Sequence, residues 1–128
     1  MGIYDRFGVR TRINAAGLLT RLGGSLMPAE VLAAMAEAAG GFVDMAELQA
    51  AASAVIARHT GAEAGLVTSG AAAGLTLGTA ACLAELDAGR MDRLPETDDR
   101  PNEIIMCRTH RTGYDHAIRA AGARIRDV

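Results

Sequence analysis

The chain has no lysine: all 13 of its basic residues are arginine, set against 15 carboxylates in 128 residues. This excludes the Walker phosphate loop, whose lysine must reach the nucleotide phosphates, and any Schiff-base catalysis carried by these residues alone. A surplus of positive charge is lacking too, since the formal net charge is −2. No electrostatic case exists for a basic face that binds nucleic acid. There are two cysteines, Cys82 and Cys107, in apolar stretches and without CxxC spacing. They are expected to be buried thiols of a protein in a reducing cytoplasm. The N-terminus has no apolar signal core, and no run approaches the ~18 apolar residues of a membrane span. Arg6 stands where a myristoylation signal needs Ser or Thr. Histidines, cysteines and carboxylates show no metal-ligand spacing, so no metal is expected.

What is present is alanine, 27 residues of it, in a chain that is 50% hydrophobic and 22% charged. That composition excludes a disordered or fibrous protein. Residues 1–27 carry five glycines and little helical period, and read as an extended N-terminal arm. Residues 28–61 read as two amphipathic helices. The first opens at Pro28 with Glu30 in its first turn and a stripe of Val31, Leu32 and Met35, and it ends at Gly40-Gly41. The second follows Asp44 and Glu47, with Met45, Leu48, Ala52, Val55 and Ile56 at helical spacing.

From residue 62 to 128 the pattern alternates. A strand is predicted over 64–68, then a tight turn at Ser69-Gly70 and a helix to about Asp87. Residues 88–102 hold two prolines and seven charges and read as a solvated, mobile connection. A strand over 103–107, a helix from Thr112 or Gly113 to Ala121 and a final strand over 123–128 complete the order. Strands alternating with helices imply a parallel sheet covered on both faces. The chain is therefore read as α/β, a sheet domain interrupted in mid-sheet, with marginal stability expected from its unpaired edges.

Two loops follow predicted strand ends, where ligands gather in open parallel sheets. At Thr68-Ser69-Gly70-Ala71 a helix N-terminus presents free amides past side chains small enough to admit an anion. The alternative is that small residues simply allow close helix-to-sheet packing. The spacing is not the GxGxxG dinucleotide fingerprint. In the second loop, His110 is suited to stacking on a flat ligand or to proton transfer, and Arg108 or Arg111 to an anionic group. The alternative makes His110 a strand cap and the arginines surface charges. His59 and His116 read as structural.

Several strings in order carry a family resemblance: Gly8-Val9-Arg10, Ile13-Asn14-Ala15, Leu22-Gly23-Gly24-Ser25 and Met27-Pro28, then Phe42-Val43-Asp44-Met45 with Glu47-Leu48-Gln49. Thr60-Gly61-Ala62-Glu63-Ala64, Val67 through Gly74, and His110-Arg111 with Tyr114-Asp115 and Ala117 continue it. Together they resemble the selenocysteine synthase family of pyridoxal-phosphate enzymes, and within it the non-tRNA lyase branch, which includes lyases of amino sugar acids. The resemblance implies the three-layer large domain of the aspartate aminotransferase fold, with only its N-terminal third present. It implies pyridoxal 5'-phosphate as cofactor, with Ser69, Gly70 and Ala71 holding the phosphate and His110 stacking on the pyridine ring. Asn14, Arg21 and Arg111 become candidates for substrate binding, and the arm is expected to border an active site, often a neighbouring subunit's. The reaction implied is α-proton loss and β-elimination on an amino acid or amino sugar acid, in a cytoplasmic homo-oligomer. Because the cofactor-bearing lysine is absent, this chain is expected to be inactive alone. Selenium transfer and a non-catalytic, oligomerising remnant are the alternatives.

Overall fold

Pro28, with φ −56° and no amide to lose, precedes helix α1 (Ala29–Ala38), and Glu30 lies in its positive first turn. The chain leaves α1 through Gly40 and Gly41, whose amides bond the carbonyls of Glu37 and Ala38 at 3.0 and 3.3 Å. The computed structural model describes residues 2–128, so Met1 lies outside the described residues. Two compact units divide between Asp44 and Met45. In the first, 3-10 turns at Tyr4–Phe7 and Thr20–Leu22 precede α1, and an isolated antiparallel bridge joins Leu19 to Gly24. The predicted stripe Val31, Leu32 and Met35 is exposed along α1.

The second unit opens with α2 (Met45–Thr60), directly after Asp44 as the capping pattern indicates. Residues 64–68 form no strand and join no sheet among the described residues, which corrects the predicted strand. Side chains of α2 take the place of a neighbouring strand. The Gln49 carboxamide donates to the Val67 carbonyl at 2.9 Å and accepts from the Val67 amide at 3.2 Å, while Ser53 Oγ accepts from the Gly65 amide at 3.0 Å. Backbone groups lacking a ladder must find such partners or water.

Helix α3 (Ala71–Ala84) follows, then α4 (Ala88–Arg93), strand β1 (Glu103–Met106), a 3-10 turn at Arg108–His110, α5 (Asp115–Ala120) and strand β2 (Arg124–Asp127). Strands β1 and β2 pair in parallel, with Glu103 opposite Arg124 and Met106 opposite Asp127. The crossover through α5 is the connection that a parallel pair requires. The core lies where α3, α5 and the start of β2 meet, at Ala84, Ile118, Ala121 and Ala123, with Thr79 and Asp115 buried beside them. The Thr76 hydroxyl ties α3 to α5 by donating to the Ala117 carbonyl at 3.1 Å.

The stretch 88–102 is largely exposed, as its prolines and charges suggested, but it is not an unstructured connection, since it contains α4. Asp87 caps α4 by accepting from the Arg90 amide at 3.0 Å. Beyond a cis Leu94-Pro95 bond the chain folds back onto the entry to β2. Asn102 Nδ2 donates to the Gly122 carbonyl at 3.1 Å and to Thr97 Oγ1 at 2.8 Å, and the Asn102 carbonyl accepts from the Arg124 amide at 2.8 Å. Gly122 sits under this return at φ +103°, where an added Cβ would lie 2.2 Å from the Pro95 carbonyl oxygen.

Both cysteines are free and exposed, against the expectation of burial. The physical reason is the small core: Cys82 lies on an exposed part of α3, and Cys107 follows a strand in a sheet of two. Large apolar side chains such as Leu86 (97% exposed) and Ile105 (73%) are likewise uncovered.

Candidate functional site

Backbone geometry builds the first candidate. Gly70 caps α3 with φ 122° and ψ 175°, a conformation suited to glycine, and no side chain caps the helix. The first intrahelical bond runs from the Gly74 amide to the Gly70 carbonyl at 3.0 Å, which leaves the amides of residues 70–73 without intrahelical acceptors. Thr68 turns its hydroxyl to the Gly70 carbonyl at 3.1 Å, closing the turn instead of capping it. Ser69, Gly70 and Ala71 are exposed, and an added Cβ at Gly70 would meet nothing within 4 Å. The positive end of a 14-residue helix thus faces open space past small side chains, and a phosphate group fits it. The apolar clefts of this unit lie elsewhere. One, of about 300 Å³, is lined by Met45, Leu48, Gln49, Ala52 and Val67, and a second, of about 450 Å³, lies between α3 and α4.

The second candidate is the loop after β1. It begins tied to β2, because the Val128 amide donates to the Met106 carbonyl and the Arg108 amide donates to the Val128 carbonyl, both at 3.0 Å. Residues 108–110 then form the 3-10 turn, closed by the His110 amide on the Cys107 carbonyl at 2.9 Å. The His110 ring is exposed and hydrogen-bonds no described residue, so its faces and both nitrogens are available to a ligand.

Arg111 is differently placed. Its Nε donates to Asp115 Oδ2 and its Nη1 to Asp127 Oδ1, joining α5 to the end of β2. Asp115 is only 5% exposed and also accepts from the Thr112 amide at 3.2 Å. The hydrogen bond from Arg111 holds the Asp115 carboxyl below the ordinary carboxylate range, against the opposing effect of burial. The same two carboxylates, Asp115 first, raise the Arg111 guanidinium further above its already high value. At the loop's start, the Thr109 hydroxyl lies 3.1 Å from Cys107 Sγ and lowers the thiol's pKa.

The structure therefore gives Ser69, Gly70 and Ala71 one helix terminus and His110 an open loop beyond a strand end. Asn14 and Arg21 lie in the first unit and are described there alone. Asn14 closes a turn, donating to the Gly17 carbonyl at 2.6 Å and accepting from the Ala16 amide at 3.0 Å. Arg21 sits in the second 3-10 turn, its guanidinium free of ion pairs with described residues. His116 contacts Arg119 Nη2 at 2.9 Å through Nδ1, and His59 closes the last turn of α2. Among the described residues no cluster of histidine, cysteine and carboxylates could hold a metal, and no helix is long and apolar enough to cross a membrane. Sequence reasoning missed the two carboxylates on Arg111. The Arg111 to Asp115 spacing of one helical turn was a legible signal; Asp127 had none.

Comparison with known proteins defines the class first: an α/β chain with a small parallel sheet that corresponds to part of a lyase structure. All of the chain superposes on 36% of a solved D-glucosaminate-6-phosphate ammonia-lyase, with a TM-score of 0.95 and 36% sequence identity. The chain is a homologue of D-glucosaminate-6-phosphate ammonia lyase, covering about a third of that protein. To the Salmonella typhimurium (strain 14028s / SGSC 2262) lyase it is 37% identical over 130 residues, which span 98% of this chain and 35% of the relative. To a 5'-C-glycyluridine monooxygenase-decarboxylase from Streptomyces sp it is 40% identical over 114 residues, 89% of this chain and 29% of that one. No family model matches the chain.

Proposed function

We propose that these residues form the cofactor-phosphate cradle and the ring-stacking element of a pyridoxal-phosphate enzyme, a lyase acting on an amino acid or amino sugar acid by α-proton loss and β-elimination. The observation that carries the reading is the uncapped α3 terminus, where the free amides of residues 70–73 lie beside the small, exposed residues Ser69, Gly70 and Ala71. Homology to an ammonia lyase at 37% identity supports the lyase class. The second relative, no less similar over its matched length, is named for a different reaction. The shared third is thus better suited to holding a common group than to choosing a reaction. In this reading the elements belong to the three-layer large domain of the aspartate aminotransferase fold.

The amides of residues 70–73 bind the phosphate, with the Ser69 hydroxyl as a further donor. The exposed His110 ring would stack on the pyridine ring and shield that face from water. Asn14 and Arg21, on the arm, would meet polar and anionic groups of the substrate bound by a neighbouring subunit of a homo-oligomer. Pyridoxal phosphate, when bound, supplies the electron sink that stabilises charge next to the amino nitrogen. Covalent attachment of that cofactor lies outside these 128 residues, none of which is lysine, so the chain by itself binds and orients without turnover.

Titration with pyridoxal phosphate, followed by phosphorus NMR and by absorbance, tests the reading. Reversible binding is expected, reduced at least about tenfold in a Ser69→Ala, Gly70→Val double variant, as loss of charge-assisted hydrogen bonds implies. Equal binding by parent and variant would refute the cradle. Any borohydride-trapped adduct on an internal lysine is impossible here.

A further inference from the structure

The loop that carries His110 is fastened at two points, and one residue makes the second fastening. At its start, the Arg108 amide bonds the Val128 carbonyl just past β2. Immediately after His110, Arg111 spans from Asp115 in the first turn of α5 to Asp127 at the end of β2. Its guanidinium offers donors in a rigid fork, so meeting two carboxylates in different elements fixes the side chain along two directions. Asp115 is itself buried and bonded to the Thr112 amide at 3.2 Å. One end of the clasp is therefore set in the core. The His110 ring, between the two fastenings, bonds to no described residue.

We infer that Arg111 is a positioning residue, a clasp between α5 and β2 that holds the 108–110 turn so that the His110 ring is presented in one orientation. The inference rests on the pyridoxal reading above for what His110 meets, but the clasp itself is a property of the ligand-free chain. It assigns Arg111 a task other than substrate contact, because its Nε and Nη1 are already engaged by Asp115 and Asp127. A lysine would replace it only in part, having one compact donor group where the geometry needs a fork.

Three variants test this: Arg111→Met, Arg111→Lys, and Asp127→Asn, which removes only the strand-side partner and leaves Asp115 paired. Amide hydrogen exchange without ligand reads the clasp at His110 and Arg111, whose amides bond Cys107 and Arg108 carbonyls at 2.9 and 3.3 Å. Exchange there is expected to rise about tenfold in Arg111→Met and Asp127→Asn, with Arg111→Lys between these and the parent. Affinity for pyridoxal phosphate is expected to fall about tenfold, the scale of one aromatic contact, while affinity for inorganic phosphate stays within about twofold. Unchanged exchange at His110 would overturn the clasp. So would loss of phosphate and pyridoxal phosphate binding together, which marks general loss of structure. A parent chain that binds no pyridoxal phosphate refutes the proposed function instead, and the ligand-free exchange still decides the clasp.

Discussion

Replacing Gly122 by alanine should be among the most damaging single-methyl changes in this chain. Gly122 has φ +103°, and the added Cβ would stand 2.2 Å from the Pro95 carbonyl oxygen, 3.0 Å from its carbon and 3.2 Å from its Cα. All three are backbone atoms, so no side chain can swing aside. Reaching the 3.4 Å at which ordinary contact begins needs a displacement of about 1.2 Å in a segment held by Asn102 from both sides. Positive φ costs a residue with a Cβ roughly 1–2 kcal/mol. Forced overpacking adds about 1–3 kcal/mol. A loss of about 2–5 kcal/mol is a large part of the ~5–15 kcal/mol that holds a typical domain together. Urea denaturation of parent and Gly122→Ala, monitored by far-UV circular dichroism, measures it. Gly78→Ala is the control: Gly78 lies within α3 with nothing inside 4 Å of an added Cβ, and the change should be neutral or stabilising by up to about 1 kcal/mol. If both variants unfold within about 0.5 kcal/mol of the parent, the spread of an ordinary surface substitution, the contact between Pro95 and the β2 entry does not exist in solution.

Two further outcomes follow from the loop after β1. The Asp115 carboxyl is held below its ordinary value chiefly by Arg111, so its contribution to stability is complete above the unfolded carboxylate value of about 3.9 and is lost as pH falls through the lower folded value. Denaturation midpoints measured from pH 6 down to pH 2 should therefore decline less steeply in Asp115→Asn than in the parent, and parallel profiles would contradict the pairing. Cys107, its thiol pKa lowered by the Thr109 hydroxyl, should alkylate with iodoacetamide more slowly at pH 7 after Thr109→Val, because less of it is thiolate. An unaltered rate, read by mass spectrometry of the Cys107 peptide, would count against that hydrogen bond.

How much of this was legible depended on range. Helix α2 was readable because Asp44, Glu47 and the apolar spacing from Met45 to Ile56 agree, and all lie within five turns of one another. Strands β1 and β2 were readable from short apolar or alternating runs next to turn residues. Helix α4 was obscured, since Pro95 and the charges around it suggested a linker. Its local signal, Asp87 placed to cap the Arg90 amide, was nonetheless present. The run 64–68 did not form its expected strand, because the backbone partner at Val67 proved to be the Gln49 side chain, 18 residues away. Nothing in that spacing announces a carboxamide standing in for a strand.

The sequence by itself determined helices α1, α2 and α3, the strand–helix–strand order from β1 to β2, the small-residue turn at Ser69-Gly70, and the absence of a lysine. These are local or compositional facts, and short-range physics suffices for them. Only the tertiary structure decided what Arg111 does, why Gly122 admits no side chain, and that both cysteines face solvent. Each depends on residues distant in the chain, Asp127 against Arg111 and Pro95 against Gly122, or on faces left without a covering layer. Such contacts are set by packing, which brings together groups that no spacing along the chain relates.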